Sequence, residues 1–198
     1  MINFINNSSE IPYIKFKEKY DEAVIANQKL IEAMSIASFS AEKNEVDSRF
    51  VNLKIIDDKE FIFFTNYNSP KSIQIKSHDQ ISIAIYWQSI NVQIRMKSLI
   101  RKSSPEFNNK YFSERSLEKN ALAISSNQSK KIDSYNSVKE NYKYTLTNND
   151  LKKCPDYWGG YTFAPYYFEF WEGHGSRLNK RDVYELLDSN WENYILEP

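Results

Sequence analysis

Trp158 to Arg181 reads WGGYTFAPYYFEFWEGHGSRLNKR, and it holds all four glycines of a 198-residue chain, at 159, 160, 173 and 175. Glycine confined in this way marks backbone that needs either a positive φ or the close approach of another group. Between the glycine pairs, Tyr161 to Trp171 is dense in aromatic residues and predicts a β-strand interrupted at Pro165. Beyond the second pair stand Arg177, Lys180 and Arg181, whose two guanidiniums can fork onto an anion. An aromatic strand running through glycines into spaced arginines suits a flat, anionic ligand. It equally suits a core strand that ends in a solvated basic turn.

Upstream of that stretch, apolar alternation predicts strands at Met34 to Phe39, Arg49 to Ile56, Phe61 to Thr65, Gln80 to Trp87 and Val92 to Arg101. A last pair is expected within Val183 to Leu196, around a turn at Asp188 to Asn190. Short helices are expected from Ile11 to about Asn27, on the spacing of Ile14, Tyr20, Val24 and Ile25, and at 71–77, 105–115 and 117–124. Residues 1–10 read as a flexible arm, 11–198 as one domain, and 132–153 as a polar helix and loop. Strands in runs, without regular βαβ alternation, favour a mainly β, α+β fold: an antiparallel barrel with peripheral helices.

Twenty-six basic residues balance 26 acidic ones, so total charge gives no case for nucleic acid or an anionic membrane, and any anion site must be local. Cys154 is the single cysteine and cannot form an internal disulfide. With no apolar leader-like segment after Met1 and no long apolar run, a cytoplasmic protein is expected. The two histidines, His78 and His174, lack partners at metal-ligand spacing, and neither G-x-S-x-G nor G-x-G-x-x-G is present.

Several polar residues stand out. Asn52 and Lys54 share one face of an otherwise apolar strand, where the lysine is either an edge residue with its amine in water or a ligand. Lys71 sits in a first helical turn after Ser69-Pro70, beside exposed amides that can receive phosphate. Tyr111 and Arg115, at i and i+4, can grip a phosphate together or form an ordinary surface pair. Gln93 and Arg95 share a strand face, and Ser125 to Lys131 (SSNQSKK) is a polar run without a phosphate-cradling glycine loop.

The blocks RFVNLK (49–54), FFTNYNSPK (63–71), VQIR (92–95), YFSER (111–115), NQS (127–129), WGGY (158–161), EFWEG (169–173) and RLNKR (177–181) together resemble the pyridoxamine 5′-phosphate oxidase family, in order and approximate spacing, from about Pro12 to Pro198. The resemblance implies a split β-barrel homodimer that binds FMN in clefts shared between subunits. It implies that Arg49, Lys71, Gln128 and Ser129 hold the FMN phosphate end, and that Phe64, Thr65, Gln93, Trp171 and Arg181 surround the ribityl chain and flavin ring. It also implies that Lys54, Tyr111 and Arg115 hold the substrate phosphate, with Lys54 reaching the cofactor as well. Arg177 would lie over the substrate ring and orient the reacting carbon. Three departures stand against the family pattern: Asn179 for a histidine, Lys119 for a serine and Pro70 for an arginine. Lys119 can still serve a phosphate as a cation, whereas Asn179 in the catalytic group cannot titrate near neutral pH. The expected activity is oxidation of pyridoxamine or pyridoxine 5′-phosphate by O2 with release of H2O2, within vitamin B6 metabolism. The alternatives are an FMN-dependent oxidase of another heteroaromatic, as in phenazine biosynthesis, and a non-catalytic flavin or pyridoxal phosphate binding protein.

Overall fold

The computed structural model describes residues 1–198, and period-two alternation of apolar side chains accounts for most of its strands. In chain order the elements are β1 (Asn3–Asn7), α1 (Ile11–Ile25), β2 (Ala33–Ser40), β3 (Glu45–Asp58), β4 (Glu60–Asn66), α2 (Pro70–Ser77), β5 (Gln80–Trp87), β6 (Val92–Lys102), α3 (Pro105–Glu114), α4 (Leu117–Ser125), α5 (Tyr135–Asn148), β7 (Trp158–Glu172), β8 (Lys180–Leu187) and β9 (Asn190–Leu196). In β5, Ile81, Ile83, Ile85 and Trp87 point inward while the residues between them face outward. No helix is long and apolar enough to cross a membrane.

The strands close on themselves. β3 pairs β2, β2 pairs β5, β5 pairs β6, β6 pairs β7, β7 pairs β4, and β4 returns to β3, every pair antiparallel. Closure leaves sheet edges only at the strands added outside the barrel, β1 and β9. β7 makes the barrel a split one. Along one edge it pairs β6, while its other partners divide its length, β4 taking 158–163 and β8 taking 167–172, with β9 added outside β8.

Inside the barrel lie Phe61, Phe63, Ile94, Met96, Phe163, Phe168 and Phe170, each no more than 2% exposed. α1 is laid against this core by Tyr13, Phe16, Tyr20 and Ala23. The helix is therefore where its sequence spacing puts it, but its buried face differs. Ile14, Val24 and Ile25 are exposed, because the aromatic stripe at 13, 16 and 20 removes more apolar area from water.

Two other expectations are corrected. Residues 1–10 are not a loose arm throughout, since β1 adds to β3 as a parallel edge strand, with Ile2 buried and the Phe4 ring packed at a tilt against Tyr20. Pro165 does not break the strand; β7 runs fifteen residues with a register shift opposite Lys97 and Ser98, which absorbs the missing donor. Nine strands form, the eight expected from the sequence and β1; β1 and the expected β8–β9 hairpin extend the sheet beyond the barrel.

None of the four glycines has a positive φ, so close approach is the operative reason for them. A Cβ on Gly159 would collide with the Tyr67 hydroxyl and the Asn108 amide, and one on Gly160 with Ser103. Those contacts bring the start of α3 against β7: Asn108 accepts from Gly160 N at 2.8 Å and donates to the Tyr67 hydroxyl at 3.1 Å. Gly173 is similarly crowded by Asn91, while nothing meets a side chain at Gly175.

Candidate active site

Ten of the residues singled out in the sequence border one cleft of about 1160 Å³: Arg49, Lys54, Phe64, Thr65, Lys71, Tyr111, Arg115, Lys119, Gln128 and Ser129. They come from β3, β4, α2, the end of α3, α4 and the loop that follows it.

In the wall of the cleft the register of β2 on β3 sets Arg49 opposite Ile36. Its guanidinium donates to Ser38 Oγ at 2.6 Å and to Gln74 Oε1 at 3.1 Å, with the Asp47 carboxylate 3.7 Å away. Gln74 in turn accepts from Ser38 and donates to Asp47. Lys71, only 5% exposed, donates to Thr65 Oγ1 at 2.8 Å and Ser69 Oγ at 3.1 Å, and it has no carboxylate partner. Burial, with Arg49 close by, pushes its ammonium down from 10.5 to about 8. It also sits at the N-terminal turn of α2, where the helix dipole is unfavourable to a cation. Gln128 reaches the same group by accepting from Thr65 Oγ1 and Asn66 N, and Ser129 holds a left-handed backbone at φ 66°. Two adjacent cations served mainly by hydroxyl and amide acceptors make a donor set that fits a phosphate dianion, so the residues present suit the phosphate end of a mononucleotide.

Also lining the cleft, Lys54 pairs with Glu32 at 3.4 Å. Arg115 lies 4.6 Å over the Trp158 ring and donates to Asn120 Oδ1 at 3.1 Å. Burial lowers the Arg115 pKa and raises that of Tyr111, whose ring stacks on Phe64 at 3.7 Å and 5°. Tyr111 and Arg115 do face the same way, as their i, i+4 spacing implies.

Gln93, Trp171, Arg181, Arg177 and Asn179 do not border this cleft. The first three form a row across the sheet, Gln93 opposite Trp171 and Trp171 opposite Arg181. Arg177, with φ 65°, and Asn179 lie in the β7–β8 connection, where Asn179 Oδ1 accepts from His174 N at 3.0 Å and so helps close the turn.

The sequence profile described as pyridoxamine 5′-phosphate oxidase matches residues 20–147. The chain belongs to the pyridoxamine 5′-phosphate oxidase family. A second profile, described as the pyridoxine 5′-phosphate oxidase C-terminal dimerisation region, matches 158–198, the segment that carries β7, β8 and β9. Among curated members, the pyridoxine/pyridoxamine 5′-phosphate oxidase of Leptospira interrogans is 31% identical over 198 residues, covering 98% of this chain and 92% of its own. That of Cupriavidus taiwanensis is 34% identical over 191 residues, covering 94% and 89%. The fold is shared with PhzG from Burkholderia lata, solved with tetrahydrophenazine-1-carboxylic acid, at TM-score 0.88 and 22% identity over 98% of this chain and all of that one. It is shared too with an FMN-binding protein of Nostoc punctiforme related to pyridoxamine 5′-phosphate oxidase, at TM-score 0.77 and 15% identity over 96% and 99%.

Residue-by-residue reading missed the groups that hold these cations in place. Asp47 and Gln74 fix Arg49, while Asn120 and Trp158 fix Arg115. Asp47 lies two residues from Arg49 on one strand face, a spacing that carried a signal. Gln74 and Trp158 are brought in from other elements, and no local spacing announces them.

Proposed function

We propose that this chain is an FMN-dependent oxidase of pyridoxamine or pyridoxine 5′-phosphate that acts as a cytoplasmic homodimer. The observation that carries the reading is the single cleft lined by two neighbouring cations, Arg49 and Lys71, together with Lys54, Arg115 and Lys119. Two anionic groups carried on flat rings match that charge, as a flavin mononucleotide beside a phosphorylated pyridine would.

The reaction is oxidation of the substrate's amine- or alcohol-bearing carbon to the aldehyde, with O2 reduced to H2O2 and, for the amine, water consumed and ammonia released. Bound FMN supplies the two-electron acceptor that O2 restores. The chain's own residues bind and orient. Arg49, Lys71, Gln128 and Ser129 hold the cofactor phosphate, and Thr65 and Phe64 line the path toward its ring. Lys54, Tyr111 and Arg115, with Lys119 in place of a hydroxyl, clamp the substrate phosphate, and Lys54 also borders the cofactor. Arg177 orients the substrate ring, with Asn179 beside it.

A second copy completes the site. Thr65 pairs with Gly159 on β7, and Gln93 and Arg181 pair with Trp171, twelve residues further along the same strand. At ~3.3 Å per residue this is about 40 Å of strand contour, longer than a flavin mononucleotide. Gln93, Trp171 and Arg181 therefore serve the cleft of the other subunit, in keeping with the match to a dimerisation region.

A second reading rests on Asn179, whose side-chain oxygen is committed to its own turn and which offers no titratable group. Under it, the substrate is another reduced heteroaromatic, of the kind the PhzG structure holds. The test is to load purified protein with FMN and supply O2 with pyridoxamine 5′-phosphate or with tetrahydrophenazine-1-carboxylic acid. Pyridoxal phosphate formation supports the first reading. Turnover of the second compound alone replaces it, and FMN binding with neither turnover leaves a flavin-binding protein.

A further inference from the structure

We propose that Glu169 is a positioning residue whose carboxylate fixes the Arg181 guanidinium, so that its remaining N–H edge is presented to the cofactor. The inference rests on the FMN-dependent function proposed above. Glu169 is 1% exposed, and both its oxygens are used. Oε1 accepts from Arg181 Nε at 2.9 Å, while Oε2 accepts from Arg95 at 2.9 Å and from the Tyr167 hydroxyl at 3.1 Å. Register explains the arrangement. Glu169 lies opposite Arg95 on β6, and the next residue of β7 on its face is Trp171, which lies opposite Gln93 and Arg181.

Arg181 is held at two points, since its Nη1 also donates to Glu197 O at 3.1 Å. The guanidinium is planar, so tying Nε and Nη1 dictates where Nη2 points. Nη2 finds no acceptor within the chain and is left for a ligand. Burial by itself would raise the carboxyl pKa, but the Arg181 hydrogen bond and the Arg95 charge outweigh it and leave the pKa lowered, so Glu169 is ionised at neutral pH.

The experiment is a double-mutant cycle on the full-length protein. FMN is titrated by flavin fluorescence into wild type, Glu169→Gln, Arg181→Gln and the double variant, with the visible circular dichroism of bound flavin recorded and the unfolding temperature of each FMN-free protein measured. Glu169→Gln is expected to weaken FMN binding about tenfold and to change the flavin dichroism, and to add less than about twofold once Arg181 is gone. Independent, multiplying effects of the two substitutions would overturn the inference, as would a folded Glu169→Gln protein with wild-type affinity and dichroism. Should that variant fail to fold, Arg181→Lys decides. It keeps a charge for Glu169 but loses the directed second edge, so unchanged affinity and dichroism would again refute it. A wild-type protein that takes up no FMN removes the proposed function and this inference together, whereas wild-type binding with an indifferent residue 169 removes the inference alone.

Discussion

Lys71 shows most directly how a single side chain trades stability for binding. An ammonium pushed from 10.5 to about 8 by burial and by Arg49 opposes folding by on the order of 3 kcal/mol at neutral pH. Its folded pKa lies below its unfolded one, so the penalty is full below pH 8 and fades as pH rises toward 10.5. FMN-free Lys71→Met protein should therefore unfold several degrees higher than wild type at pH 7, with the gap narrowing at pH 9.5, as followed by thermal denaturation. The same variant should bind FMN about 100-fold more weakly in a fluorescence titration. Tight FMN binding by Lys71→Met would take Lys71 out of the phosphate site. The sequence put this lysine in a first helical turn after Pro70, which was enough to nominate it. Its lack of a carboxylate partner, the fact that leaves its charge open to an anion, depends on which side chains β2, β3 and β4 bring near it.

At the scale of elements, the junction of α3, α4 and the segment between α5 and β7 turns on Asn120, which is wholly buried. Its amide donates to Phe112 O and Leu151 O at 2.8 Å each, and its oxygen receives Arg115 at 3.1 Å. Asn120→Ala strands two buried carbonyls and should cost about 2–4 kcal/mol in a denaturant titration. Because Arg115 also loses its alignment, KM for the phosphorylated substrate should rise about tenfold with kcat little changed. Asn120→Asp keeps an acceptor for Arg115 but no donor. It should lose similar stability with a smaller rise in KM, and equal KM effects in the two variants would argue against alignment. Period-two alternation made β5 and β6 legible almost to their ends. It misjudged the face of α1, where spacing alone could not weigh Tyr13 and Phe16 against Ile14 and Val24, and it missed β1, whose five residues are mostly exposed. An edge strand that buries little carries little pattern.

For the whole molecule, the proposed division of the site between the cleft and the β6–β7–β8 row makes complementation the decisive measurement. Lys71→Met and Arg181→Gln proteins, each poor in FMN binding alone, should recover function when unfolded and refolded together. Random pairing makes half the dimers mixed, each with one intact site of two, so about a quarter of wild-type activity is expected. No recovery above the separate variants would put both residues in the same subunit's site.

From residue types and order alone, the chain determined its barrel class, its family and nearly every side chain at issue, because alternation, turn chemistry and eight ordered blocks are local properties. Tertiary structure decided the rest. It gathered Arg49, Lys71, Tyr111 and Arg115 around one cleft, sent Gln93, Trp171 and Arg181 elsewhere, and tied Asn179 into its own turn. The physical reason is that a cation's role is set by which counter-charges and acceptors surround it, and those neighbours come from strands paired across long stretches of sequence.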